Sequence, residues 1–328
     1  MSKAEAVAAG SARGALAWLR LSGGAKGPLI GLVALCVAFS LTTDVFLSVR
    51  NLLNVLDQVT VLGIISIGMT LVIVIGGIDL SVGAVLAFAM MMMGWLKQDY
   101  GVPVGVGMLI AIAIGALCGL INGLLVTRAR LPAFIATLTM MSVARGLANL
   151  VTDGRQVVGY PDWFDSLSTV RHFGFLSATV ALFLILMVAA WICLNFTAIG
   201  RSLYAIGGSA EVARLAGIRV RAVTLGVYVV ASALCGIAAI ALTARLDSSQ
   251  PSAGTGAELD AIAAVVIGGA SLSGGVGGIG GTAIGVLIIG VLHNGLNLLA
   301  VSPFVQQVVI GIVIALAVTA DTLRQREH

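Results

Sequence analysis

Apolar runs of membrane length, separated by short polar breaks, recur from one end of the chain to the other. A helix that crosses a bilayer needs about 20 apolar residues. Runs near 28–43, 56–75, 80–96, 104–126, 133–150, 176–194, 222–243, 259–273, 282–300 and 305–321 reach or approach that length. The alternating positions of a membrane β-barrel do not occur. The pattern therefore predicts an all-α fold, a polytopic membrane bundle of about ten transmembrane helices with broken, glycine-rich spans. It reads as one transmembrane domain over 28–321, between tails at 1–27 and 322–328.

Glycine marks the breaks. Gly76-Gly77-Ile78-Asp79-Leu80-Ser81-Val82-Gly83 and Gly268-Gly269-Ala270-Ser271-Leu272-Ser273-Gly274-Gly275 agree at five of eight positions, as a distant internal repeat would. Gly115, Gly119 and Gly123, and again Gly281 and Gly285, recur at a spacing of four. Such faces let helix backbones approach closely, within one subunit or between two. Asn122 and Asn294 lie in the same runs, where a buried amide either joins helices or lines a polar path. With Asp79 and Ser81 they form the candidate translocation path. For Asp79 itself there are two readings, an N-cap for the span beginning at Leu80 or a contact for cargo or an ion.

Composition excludes an ordinary soluble globule, since 59% of residues are apolar and 10% charged, with a mean hydropathy of +1.10. Charge then orients the bundle. With the N-terminus in the cytoplasm, twelve of the 18 Lys and Arg fall in inner segments, and nine of the 14 acids, Glu258 and Asp260 among them, fall on the outer side, as the positive-inside rule requires. Both termini are then cytoplasmic. A signal peptide is the competing reading of residues 1–27, but no soluble mature domain follows, so the first span is read as retained.

The longest basic interruption is Thr197 to Arg221. Gly207-Gly208 are expected to break the chain, Ser209 to cap a short helix, Glu211 to sit in its first turn and Gly217 to end it. One face carries Val212, Leu215 and Ala216, and Glu211 pairs with Arg214 at i,i+3. Such a helix lies on lipid, fills a groove in a partner, or is an ordinary amphipathic connector. On the other side, Val151 to Phe175 is too polar to span and too short to be a domain. Arg155, Asp162, Asp165 and Arg171, around Trp163, make it either a docking surface for an external protein or a solvated loop.

Enzyme chemistry finds no purchase. Gly275 to Gly280 satisfies GxGxxG, but no βαβ unit surrounds it and no acidic residue follows where a ribose would need one. A phosphate-binding GxxxxGK[ST] loop is absent, so any ATP that powers the protein is hydrolysed by another polypeptide. Cys36, Cys118, Cys193 and Cys235 stand singly in apolar runs, and His172, His293 and His328 share no ligand spacing. The expectation is no cofactor, no metal and no nucleic-acid partner.

GGIDLSVGA at 76–84, GRSLYAIGGSAEVARLAGI at 200–218 and LDAIAAVVIGGASLSGGVGGIGGT at 259–282 resemble, in this order, the permease subunits of ATP-binding-cassette monosaccharide importers, the group with ribose, xylose and arabinose permeases. The resemblance implies a bacterial inner-membrane protein that pairs with a second permease copy or close relative, two cytoplasmic ATPase subunits and a periplasmic sugar-binding protein. It places the ATPase-coupling loop at Ser209, Glu211, Val212, Arg214, Leu215 and Gly217, with Glu-Val-Ala where the best-known form has Glu-Ala-Ala. The external charges Arg155, Asp162, Asp165 and Arg171 become the binding-protein contacts. The competing class, an ion-coupled secondary transporter, needs carboxylates deep in its helices, and Asp79 is the one candidate read from the sequence.

Overall fold

The structure, a computed structural model, describes residues 26–326; the predicted tail at 1–27 lies outside the described residues as far as residue 25, as do residues 327 and 328. Thirteen helices are described: α1 (Lys26–Thr42), α2 (Val49–Val74), α3 (Val82–Tyr100), α4 (Val104–Thr127), α5 (Ala133–Leu150), α6 (Asp162–Thr169), α7 (Ala178–Phe196), α8 (Ala198–Gly208), α9 (Ala210–Leu215), α10 (Val220–Leu246), α11 (Ala257–Ile267), α12 (Ile279–Leu298) and α13 (Pro303–Arg326). Two short strands, β1 (Val157–Val158) and β2 (Ser248–Ser249), pair antiparallel.

Every predicted run is helical over most of its length, and six helices, α2, α4, α5, α7, α10 and α12, are long and apolar enough to cross a membrane. The chain is a multi-pass helical membrane protein. The count of ten is loose, because the run 259–273 does not span as a helix. Its helix α11 has 11 residues, about 16 Å at 1.5 Å per residue, or half of a hydrocarbon core of about 30 Å. Gly268 caps it, and a glycine-rich loop with several residues at positive φ follows. At the other extreme α13 continues through Arg326, past the predicted end of its span.

Burial separates a centre from a perimeter. In α2, 78% of the most apolar stretch is buried, against 22% in α7. Most of the largest fully buried side chains among the described residues, Tyr228, Ile64, Met69, Met90 and Met93 among them, come from α2, α3 and α10, with Phe46, Phe164 and Leu194 outside them. The glycine faces explain how the layers close. A Cβ on Gly115 would overlap the Ser232 carbonyl oxygen and one on Gly119 that of Tyr228, so α4 lies backbone to backbone on α10. Gly281 and Gly285 pack in the same way on Gly268 and Ala264 of α11. Both seams lie inside this chain.

The two ends of the bundle differ. One gathers α8, α9, the break at 75–81 and the loop at 268–278, joined where Gly275 N–H donates to the Val74 carbonyl at 2.9 Å. The other gathers the segment 151–175, the start of α2 and the end of α3, joined by the Arg171–Asp57 ion pair and by Lys97 Nζ donating to the carbonyls of Val158 and Gly159.

Candidate functional site

The basic interruption folds as two helices. Thr197 Oγ1 accepts from Gly200 N–H at 3.1 Å to start α8. Gly207-Gly208 do not break the chain as expected; they are the last two residues of α8, and the turn falls at Ser209. The reason is a close approach. A Cβ on Gly207 would overlap the Val74 carbonyl oxygen and the Gly275 amide, and Gly274 packs on Gly76, so both glycine-rich breaks converge on the end of α8. Tyr204 fastens the joint by donating its hydroxyl to the Gly277 carbonyl at 2.8 Å. Burial raises that phenol above its ordinary pKa, which keeps it a neutral donor.

From this joint projects α9. Ser209 Oγ accepts from Val212 N–H at 3.3 Å, the cap its position predicts. Gly217 N–H donates to Arg214 O and Ile218 N–H to Ala213 O, each at 3.0 Å, with Gly217 at φ +85°. That pairing closes a helix with a left-handed residue. Glu211 and Arg214 approach to 3.8 Å but are both largely exposed, so their attraction contributes little. Only Ala213 is buried. Val212 and Leu215 stand 63% and 78% exposed, an apolar pair with no cover among the described residues. Nothing lies within 4 Å of where a Gly217 Cβ would sit, so in this chain it is φ, and not crowding, that requires glycine.

Three of the four path residues read from the sequence meet. Asp79 is fully buried; its Oδ1 accepts from Ser81 N–H at 2.8 Å and from the Ser81 hydroxyl at 2.6 Å. Asn122 Nδ2 donates to Ser81 Oγ at 3.0 Å. The N-cap position of α3 is Ser81, not Asp79, because the carboxylate turns the chain one step earlier. Asn294 lies elsewhere: it exchanges two amide bonds of 2.9 Å with Asn51, tying α12 to the start of α2. Asp79→Asn keeps the acceptor and alters only Oδ2, which has no partner among the described residues. It should leave the thermal stability of the purified protein nearly unchanged. Asp79→Ala strands a buried N–H and should cost about 1–3 kcal/mol, read as a lower midpoint of unfolding; equal damage from both changes would refute this role.

At the far end, Asp162 and Asp165 occupy the first turn of α6, with Asp162 exposed and Asp165 half-buried. Arg155 is exposed. Arg171 is not a free rim charge, because it is paired with Asp57 and lines a polar recess with Arg50, Asn51 and Asn54.

Sequence reasoning missed the charges inside the bundle. Glu258 and Asp260, expected in an outer segment, form the first turn of the half-length helix α11. There Asp260 Oδ2 lies 3.2 Å from His293 Nε2 on α12. Arg145 on α5 donates to the carbonyls of Pro251 and Ala253 at 2.7 and 2.9 Å, holding the segment that leads into α11. The available signal was an ionisable residue within an apolar run, as at Arg145 and His293, which is functional by default in a membrane.

A family model described as branched-chain amino acid transport system / permease component matches residues 51–318. The chain belongs to this family. As a permease it is similar to the ribose import permease protein of Bacillus subtilis, 47% identical over 90% of this chain and 92% of that one. It is 44% identical to the ribose import permease protein of Escherichia coli K12, over 90% and 93%, and 37% identical to the fructose import permease protein of Rhizobium meliloti, over 90% and 84%. No solved structure matches it. Both seams, both breaks and α9 lie inside the matched region.

Proposed function

We propose that the chain is the membrane subunit of an ATP-binding-cassette importer in a bacterial inner membrane, where it passes a monosaccharide to the cytoplasm. The observation that carries this reading is the identity to ribose import permeases along nine-tenths of the chain. In it α8, α9 and both termini face the cytoplasm. The exposed Val212 and Leu215, flanked by Glu211 and Arg214, enter a groove of an ATPase subunit, which hydrolyses the ATP. A second permease copy or close relative completes the path, and a periplasmic binding protein delivers sugar to the opposite end, where Arg155 and Asp162 remain available as rim charges that steer its approach.

The geometry supports a mechanism. Because Gly207 touches both the end of α2 and the loop between α11 and α12, a displacement of α9 is passed directly to two broken spans. Packed interfaces of this kind switch between discrete arrangements and do not deform continuously. The permease makes and breaks no covalent bond; it changes which end of the path is open.

The half-buried Asp260–His293 pair favours a second reading, an ion-coupled transporter, because such machines carry ionisable groups in their helices. Uptake of labelled ribose by vesicles that contain the permease with its ATPase and binding protein separates the two. The expected result is uptake that requires ATP and both partners and survives a protonophore. Uptake abolished by the protonophore while ATP is maintained would establish the ion-coupled reading instead.

A further inference from the structure

Where α2, α7, α8 and α10 meet lies an apolar groove of about 390 Å³. Leu71 lines it from α2, Ile199 and Leu203 line it from α8, and a stripe of α10 forms its floor. That stripe, Val223, Gly226 and Val230, follows one face of the helix at spacings of three and four. The groove opens outward at Gly226, where nothing lies within 4 Å of a Cβ position, and Ile199 and Val230 stand 60% and 48% exposed. Among the described residues one charged residue lines it, the exposed Arg219, just before the first turn of α10.

We infer that this groove holds one acyl chain of an anionic phospholipid, with the headgroup phosphate on Arg219. Dimensions select the chain. From Arg219 to Val230 is about 16 Å at 1.5 Å per residue, or half of a hydrocarbon core of about 30 Å, so the groove runs from headgroup depth to the middle of the bilayer. Spread over that length, 390 Å³ makes a channel about 5 Å across, which admits a hydrocarbon chain at carbon contacts of about 4 Å. A helix is about 10 Å across, so neither a span of a second permease nor a helix of an ATPase enters it.

Charge selects the headgroup. Arg219 also lines the neighbouring recess with Arg214, Arg221 and Glu211. There Glu211 faces Arg214 at 3.8 Å, and Arg219 and Arg221 have no ion pair among the described residues. Basic pockets between membrane helices at this depth bind anionic headgroups. A free phosphate would satisfy the arginine and leave the groove empty, whereas a phospholipid fills both. The position also gives the lipid a consequence. Ile199 and Leu203 belong to α8, whose Gly207 touches both broken spans, so a chain lodged between α8 and α10 props the helix that carries the joint. The membrane alone carries this inference; the importer reading adds that the leaflet is cytoplasmic.

Native mass spectrometry of the detergent-extracted full chain tests it, with phosphatidylglycerol, phosphatidylcholine or inorganic phosphate added. Wild type is expected to hold one phosphatidylglycerol about fivefold more tightly than phosphatidylcholine, the gain from one arginine near a lipid surface, and to keep it in excess phosphate and when the ATPase is added. Arg219→Gln should remove that preference. Gly226→Phe fills the groove where there is open space, and should weaken both lipids at least about tenfold, since each displaced methylene is worth a factor of about four. Equal binding of the two lipids by wild type overturns the inference, as does an unchanged preference in Arg219→Gln or unchanged affinity in Gly226→Phe. Should Gly226→Phe fail to fold, Arg219→Gln decides alone. Displacement by phosphate would make the loop an anion site without a lipid, and loss of the lipid on adding the ATPase would make the groove a protein interface; either overturns it. None of these outcomes bears on whether sugar is carried, so the importer reading stands or falls separately.

Discussion

Gly119→Leu is expected to remove most of the folded permease from the membrane. The residue faces the Tyr228 carbonyl of α10, and Gly115, one turn earlier, faces that of Ser232. The obstacle is backbone and not the movable end of a side chain. To admit four carbons, α4 and α10 must separate, and Tyr228, the largest fully buried side chain, loses its packing. Overpacking of a well-filled core typically costs about 1–3 kcal/mol; with a rigid obstacle the upper end applies, a large share of a total stability of about 5–15 kcal/mol. Gly105→Leu is the control, since it lies on the same helix with no atom within 4 Å of a Cβ. The measurement is the monodisperse fraction of detergent-extracted protein and its midpoint of thermal unfolding. Gly119→Leu should fall far below wild type on both and Gly105→Leu should not; equal behaviour would mean that the seam between α4 and α10 is not closed as described.

The second large effect is functional. Gly217→Val places a β-branched residue at φ +85°, a true outlier for such a side chain, at a cost of about 1–2 kcal/mol, so α9 should lose its stop. Glu211→Lys reverses the charge in its first turn, against the helix dipole. Because Gly217 has open space around it and Glu211 is exposed, neither change should alter the amount of permease in the membrane. Transport should nevertheless fall at least about tenfold, and the ATPase should no longer copurify. Gly217→Asn, which tolerates the left-handed region, should retain both. Full transport with the ATPase still bound in Gly217→Val would reduce α9 to a connector and remove the coupling assignment.

These two experiments probe different levels of what was legible beforehand. The spans and the cap and stop of α9 follow from neighbours in the sequence, since an apolar run of about twenty, a serine before a first turn and a glycine after a last one act over a few residues. The same holds for the glycine faces of α4 and α12, whose spacing announces a close approach without naming the partner.

Contacts between distant stretches were beyond that reach. Asn294 joins Asn51 across 243 residues, and no property of either run announces the pair. Gly207 was read as a break because glycine ends helices more often than it packs them; only the arrival of Val74 and Gly275 made it a contact. Glu258 and Asp260 follow a polar segment that reads as an outer loop, and it took the shortness of α11 and the position of His293 to bring Asp260 inside. The amino-acid order by itself thus determined the membrane class, the elements and the surface helix, because those depend on local periodicity and capping. Which glycines touch, which charges are internal and where a groove opens were decided by tertiary structure alone, because each depends on which helices become neighbours.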